Sequence, residues 1–174
     1  IGYPTEPEII FGFGVSTGFK GVDFSCFFQG LARESFWIDP VATSPFIDVD
    51  GVSSVISKNS LLKVYADDHW TKDNQDVYAL WPRLSADQII ANNTQISTWF
   101  MRDGTFLRLK SVELGYSIPK NIIDSYHIEN LRLYFSGTNL LTVSKFKLWD
   151  PEMAGNGLGY PIQQVFNIGL QVTF

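Results

Sequence analysis

Carboxylates and a histidine crowd one short stretch of this chain: Asp67, Asp68 and His69, with Asp73 and Asp76 close behind. Oxygen and imidazole donors of this kind are what a divalent cation takes. Asp48-Val49-Asp50-Gly51 has the opening of a calcium loop, yet the later ligands of an EF-hand are missing. His69 and His127 are the only histidines and lie far apart, which argues against zinc. A solvated acidic loop accounts for the cluster more simply, and neither a metal nor a cofactor is expected. Serines are plentiful, but no nucleophile–base–acid set accompanies them, so no catalytic role is expected. The single Cys26 rules out an internal disulfide. Among Phe24, Phe27 and Phe28 it reads as a small apolar packing residue.

Indoles are the other chemistry-bearing groups. Trp37, Trp70, Trp81, Trp99 and Trp149 all fall between the segments that pattern as strands. Flat aromatic faces stack on sugar rings or peptide side chains, and Trp70, Trp81 and Trp149 are the candidate substrate-binding residues. Packing within loops, or anchoring at a membrane interface, is the competing reading for each.

The elements that must position these residues are β-strands. Phe166, Ile168, Leu170, Val172 and Phe174 share one face of the last segment, and Asn167, Gly169, Gln171 and Thr173 the other. A period of two marks a strand between unlike environments. Five such segments are expected, at about 9–19, 22–33, 105–118, 131–143 and 162–174. Lys20-Gly21 makes a two-residue hairpin turn between the first two. In the third, Leu107 and Leu109 are out of phase with Val112, Leu114 and Tyr116, which calls for a bulge or an end beyond the bilayer. Pro119 closes that strand, since proline donates nothing to a ladder. Ser85 and Gln88 form a capping-box pattern ahead of Ile89 and Ile90, so a short helix is expected there.

Connections alternate between short and long. Lys20-Gly21 is minimal, 120–130 is moderate, 144–160 is longer, and 34–104 runs to about seventy residues. Long loops at one end and short turns at the other are the outer-membrane barrel pattern, with the long ones outside. Between Glu34 and Asp103 stand ten acidic and five basic residues, while the rest of the chain carries eight of each. The whole excess of negative charge therefore sits in the longest loop, and nothing resembles a basic nucleic-acid footprint. Within the strands, Arg108, Lys110, Glu113 and Arg132 carry charge. A base at the midplane on a lipid face costs about 2–4 kcal/mol. Glu113 and Arg132 fall on the polar, lumen-facing phase, able to pair with a plug, and Arg108 and Lys110 are assigned to the extracellular rim. No run approaches the ~18 apolar residues of a membrane-spanning helix. The start at Ile1, with neither Met nor signal peptide, reads as a mature or truncated product.

Five strands are too few to close a barrel with a lipid face, for which about eight is the minimum. An open sheet in hydrocarbon would leave two edges unpaired, at several kcal/mol per group. Three arrangements remain: part of a larger barrel, a small barrel with strands hidden in 34–104, or a soluble carbohydrate-binding β-sandwich. The first is preferred, because 34–104 lacks clean alternation and a sandwich leaves the loop asymmetry unexplained.

Particular motifs narrow this further. FLRLKSVELGYSIP at 106–119, LRLYFSGTNLLT at 131–142 and KFKLWDPE at 145–152 follow in order, then a Gly-rich stretch with a Tyr-Pro pair at 155–161. Upstream come Phe28-Gln29-Gly30, Trp70-Thr71-Lys72-Asp73-Asn74 and Pro82-Arg83-Leu84-Ser85. This ordered set resembles the carboxy-terminal part of SusC/RagA-type TonB-linked outer-membrane transporters over nearly the whole chain. Lys72 departs from the proline often found there, which touches only loop shape. The resemblance implies an all-β, antiparallel transmembrane β-barrel of about 22 strands, of which residues 1–174 supply the last five or so, with 34–104 as an extracellular loop. No segment resembles that family's plug or TonB box. The partners implied are a SusD-like surface lipoprotein, the TonB complex acting through the missing amino-terminal region, an oligosaccharide or peptide ligand, and membrane lipid.

Overall fold

The computed structural model describes residues 2–46, 59–85, 91–155 and 157–174. Among the described residues, seven strands form two sheets. The large one orders β1 (Ile9–Phe19), β2 (Val22–Ala32), β5 (Phe106–Ser117), β6 (Asn130–Ser144) and β7 (Val165–Thr173) as β1-β2-β5-β6-β7, every neighbour antiparallel. The small one pairs β3 (Ser35–Trp37) with β4 (Met101–Asp103).

The β1–β2 hairpin turns on Lys20 and Gly21, whose φ values of 49° and 85° are both positive. Two consecutive positive φ values twist the chain as the flanking strands require. Phe19 then opposes Val22, and the ladder continues through Tyr116, Leu133 and Leu170. One face of the sheet thus collects Val15, Phe19, Leu114, Leu133, Phe135, Ile168 and Leu170, all exposed. The opposite face carries Ser16, Asp23, Glu113, Arg132, Ser136, Asn167 and Gln171. In a soluble domain such an apolar face would be covered; left bare over four strand widths, it suits lipid.

A bulge sets the phase of β5. Leu109 and Ser111 oppose adjacent residues of β2, Phe28 and Phe27, so Lys110 is the extra residue. On the other side Asn139 and Leu140 fall between the partners of the same two residues, with Asn139 at a φ of 55°. The extra residue returns Leu107 and Leu109 to the apolar face and sends Phe106 and Arg108 to the polar one.

Most of the buried core lies outside the large sheet, with Phe106 of β5 the exception among the sheet's described apolar residues. Phe36, Ile38, Tyr65, Trp81, Phe100 and Phe146 form one cluster, drawn from both long connections. β3 and β4 zip the two ends of the 34–104 excursion together, and Gly104 donates to the Glu34 carbonyl at 3.0 Å. A seventy-residue excursion is thereby held together at its base. Among the described residues, helical structure is limited to α1 (Lys63–Asp67), α2 (Lys120–Ile123) and 3-10 turns. One 3-10 turn covers Ala91–Thr94; Gln88, Ile89 and Ile90 of the expected capping-box helix lie outside the described residues, as does Asp48-Val49-Asp50-Gly51.

Candidate functional site

Both long connections leave the same end of the sheet, and they converge over its polar face. Arg108 marks where they meet it. Its position on β5 puts it on that face, yet its side chain is only 2% exposed. Its Nη2 donates to Asp150 Oδ1 at 2.5 Å and to Glu152 Oε2 at 3.0 Å, and its guanidinium lies 5.6 Å from the Phe106 ring centre. Asp150 Oδ1 also accepts from the Glu152 amide at 3.0 Å, capping a 3-10 turn over Pro151–Met153. One buried cation therefore holds two carboxylates of the 145–160 connection against β5. That connection folds inward across the mouth of the polar face instead of standing away from it.

The same connection supplies Phe146 and Trp149 to the aromatic core. Their rings meet edge to face at 5.0 Å, and Trp149 Nε1 donates to the Ala154 carbonyl at 2.8 Å. Phe146 meets Phe36 in the same geometry, at 5.0 Å. Trp81 stacks on Tyr65 at 4.3 Å and meets Phe100 at 5.4 Å. Arg102 stitches the far side. It donates to the carbonyls of Trp99 at 2.6 Å, Met101 at 2.9 Å and Leu80 at 3.2 Å. Burial pulls its guanidinium below the ordinary arginine range, against the opposing pull of Tyr65 and Asp68, and burial pushes the Tyr65 phenol up. At the base, burial raises the Asp103 carboxyl, but hydrogen bonds from Thr105 and Lys145 outweigh it and the net shift is downward. Burial and the repulsion of Glu6 push Glu34 up.

The candidate tryptophans do not share one surface. Trp81 is 2% exposed, with Tyr65 and Phe100 against it, so it is a packing residue in this chain. Trp149 is half-buried in the same cluster. Trp70 is half-buried too, and the amide of Trp70 donates to the Trp81 carbonyl at 3.0 Å. It lines an open cleft of about 200 Å³ with Pro82, Arg83, Asn93, Ser97 and Trp99. Trp99 and Asn93 were missed as candidates. Trp99 lies sixteen residues from Arg83 and twenty-nine from Trp70, so no local signal places it on the same cleft.

Deeper on the polar face, Arg132 Nε donates to Asp23 Oδ2 at 3.0 Å and Nη2 to Glu113 Oε1 at 2.7 Å. The three groups come from β6, β2 and β5 and lie over Gly115, where an added Cβ would collide with Arg132 and Asp23. Arg132 and Glu113 thus have each other as partners within the wall. Arg108 and Lys110, assigned to the rim, part company: Arg108 is buried and clamped, and Lys110 is the bulge residue.

The acidic run resolves into local turns. Asp67 pairs with Lys63, Asp76 Oδ1 accepts from the Tyr78 amide at 2.8 Å, and His69 Nδ1 lies 2.9 Å from the Ala66 carbonyl. Among the described residues, no three His, Cys, Asp or Glu side chains converge as a metal site.

Comparison with known proteins agrees with this architecture. No family model matches the chain. The chain is 30% identical over 97% of its length to TonB-dependent receptor P26 of Formosa agariphila, and 26% identical over its full length to TonB-dependent receptor P3 of the same organism. It superposes on a structure of the RagAB peptide importer in its open-open state with a TM-score of 0.70 at 27% identity over 98% of the chain. A structure of the RagAB peptide transporter gives 0.73 at 26% identity over 100%. The chain spans 17% of the length of each receptor, and 17% and 18% of the two solved chains.

Proposed function

This chain is a β-barrel segment of a SusC/RagA-like TonB-dependent transporter of the outer membrane, and on that premise we propose that it forms wall and extracellular loops of an importer of oligomeric nutrients. Proteins of this kind are receptors and importers, not enzymes. The supporting observation is the division of labour within the fold. A sheet with one bare apolar face and one polar face carries, at one end only, a folded cap of aromatic and ionic contacts. A cap over the polar face at the outer end is what a nutrient meets before entering the lumen. The neighbouring structures are of a peptide importer, which favours peptides over glycans as the cargo. The two-component name of that importer supports a surface lipoprotein of SusD type as partner at the same end. TonB would act through regions other than these.

Orientation is the point to test. Tyr78 is 92% exposed within the cap, and Lys20 sits on the hairpin turn at the opposite end. In whole cells carrying the full receptor, Tyr78→Cys is labelled by a membrane-impermeant maleimide, while Lys20→Cys is labelled only after permeabilisation. The reverse pattern overturns the reading. Competition of uptake by oligopeptides or by oligosaccharides then separates the two cargo classes.

A further inference from the structure

The apolar face is not uniform. Near the short-turn end it carries a hollow of about 400 Å³, walled by Val22, Leu114, Tyr116, Leu133, Phe135 and Ile168. These residues belong to two adjacent cross-strand rows, Val22–Tyr116–Leu133 and Leu114–Phe135–Ile168. In each row longer aromatic side chains stand beside shorter aliphatic ones, and the hollow is the space left above the leucines. Gly115 and Tyr134 complete a lining that is mostly carbon.

Two polar groups stand at the edge of that hollow. Lys20 places its ammonium 5.2 Å from the centre of the Phe19 ring, and Phe19 is the exposed apolar residue opposite Val22. The ammonium therefore lies toward the lipid side of the turn. Tyr116 leans the same way, its Cε2 being 3.6 Å from where Gly21 would carry a Cβ. An apolar hollow ending in an ammonium and a phenol matches the two halves of an amphiphile with an anionic head. Continuity with the lipid-facing surface argues for a lipid over a protein partner, because Phe19, Phe24 and Leu170, the cross-strand neighbours of Val22, Leu114 and Leu133, are exposed on the same face.

We propose that this hollow is a binding site for one glycerophospholipid, an acyl chain lying against Leu114 and Leu133 and the phosphate held by the Lys20 ammonium and the Tyr116 hydroxyl. The proposal rests on the orientation given above, which puts the short turns and so the headgroup at the periplasmic leaflet. Lys20 draws the phosphate, Tyr116 supplies a donor at interface depth, and the aliphatic walls exclude water from the chain.

The test uses the full-length receptor, extracted in mild detergent, stripped of lipid, and offered phosphatidylethanolamine or a diacylglycerol with the same chains. Native mass spectrometry counts what stays bound. One phospholipid per receptor is expected, with diacylglycerol held about fivefold more weakly, the share of one lysine at a phosphate surface. Lys20→Ala removes that difference by weakening only the phospholipid. Leu114→Trp fills the hollow and weakens both at least about tenfold, equivalent to about 1.4 kcal/mol. Leu133→Phe serves as a second filling variant, and the heat-dependent shift of the folded barrel on gels confirms that each variant is folded. Equal retention of the two lipids by the unmodified receptor, or full retention by both filling variants, overturns the proposal. Labelling at Tyr78→Cys reports on orientation separately, so a failure of either reading is visible on its own.

Discussion

Replacing Arg108 by methionine keeps much of the aliphatic bulk and removes the charge. The side chain is 2% exposed, and its partners Asp150 and Glu152 are 15% and 25% exposed. Removing one member of a buried ionic set costs about 3–5 kcal/mol, because the remaining charges stay desolvated without a counterion. Here two carboxylates are stranded together, and each repels the other. The loss falls on the docking of the 145–160 connection, since the five-stranded ladder does not depend on Arg108 for its backbone bonds. At about 1.4 kcal/mol per factor of ten, local opening should rise by about 10²- to 10³-fold or more. Hydrogen exchange on the full receptor reads this at four amides. Glu152 donates to Asp150 Oδ1 at 3.0 Å, Met153 to the Asp150 carbonyl at 3.0 Å, Ala154 to the Pro151 carbonyl at 3.0 Å, and Asp39 to the Gly155 carbonyl at 3.2 Å. All four should exchange faster in Arg108→Met, with amides of β6 and β7 unchanged. Lys63→Met is the control: the Lys63–Asp67 pair is on the surface, and such pairs contribute about 0–1 kcal/mol. Unchanged exchange at Met153, Ala154 and Asp39 in Arg108→Met would refute the clamp.

Trp81→Ala should destabilise the cap by about 3–5 kcal/mol, seen as protease sensitivity of 34–104, because Trp81 is 2% exposed against Tyr65 and Phe100. Trp70→Ala, on the open cleft, should leave that protease pattern intact and weaken cargo binding in a titration of the whole receptor. Glu34 has a folded pKa raised above the ordinary glutamate value of 4.5 by burial and by Glu6. The folded state therefore holds its proton to higher pH, and stability falls as pH rises from 4.5 through the folded pKa. Glu34→Gln should slow exchange of the Gly104 amide, bonded to the Glu34 carbonyl, at neutral pH and remove the pH dependence of its protection, measured against the free-peptide rate, over that window. Gly155→Ala should undock the 145–160 connection, since an added Cβ collides with the Trp37 carbonyl oxygen, which as backbone cannot rotate away; faster exchange at Asp39 checks it.

Strand character and the two-faced sheet are legible in the sequence, because alternation is a property of neighbours one and two residues apart. The Lys20-Gly21 turn is legible for the same reason, and so is the phase break between Leu109 and Ser111. The family motifs carried the transporter reading, since LRLK at 107–110 and WDPE at 149–152 stand in the right order. What those motifs do to each other was not legible. Arg108 and Asp150 are 42 residues apart, and only the bulge at Lys110 turns Arg108 from the apolar face to the polar face where Asp150 waits. Nor does composition tell a core indole from a cleft indole. Trp70 follows Asp67-Asp68-His69 and Trp81 follows Ala79-Leu80, a difference that hints at burial, but which rings close over Trp81 is decided only when Tyr65 and Phe100 pack against it. Local pattern determines which backbone ladder forms; contacts between distant side chains depend on how the two long connections fold back, and that is settled by tertiary packing alone.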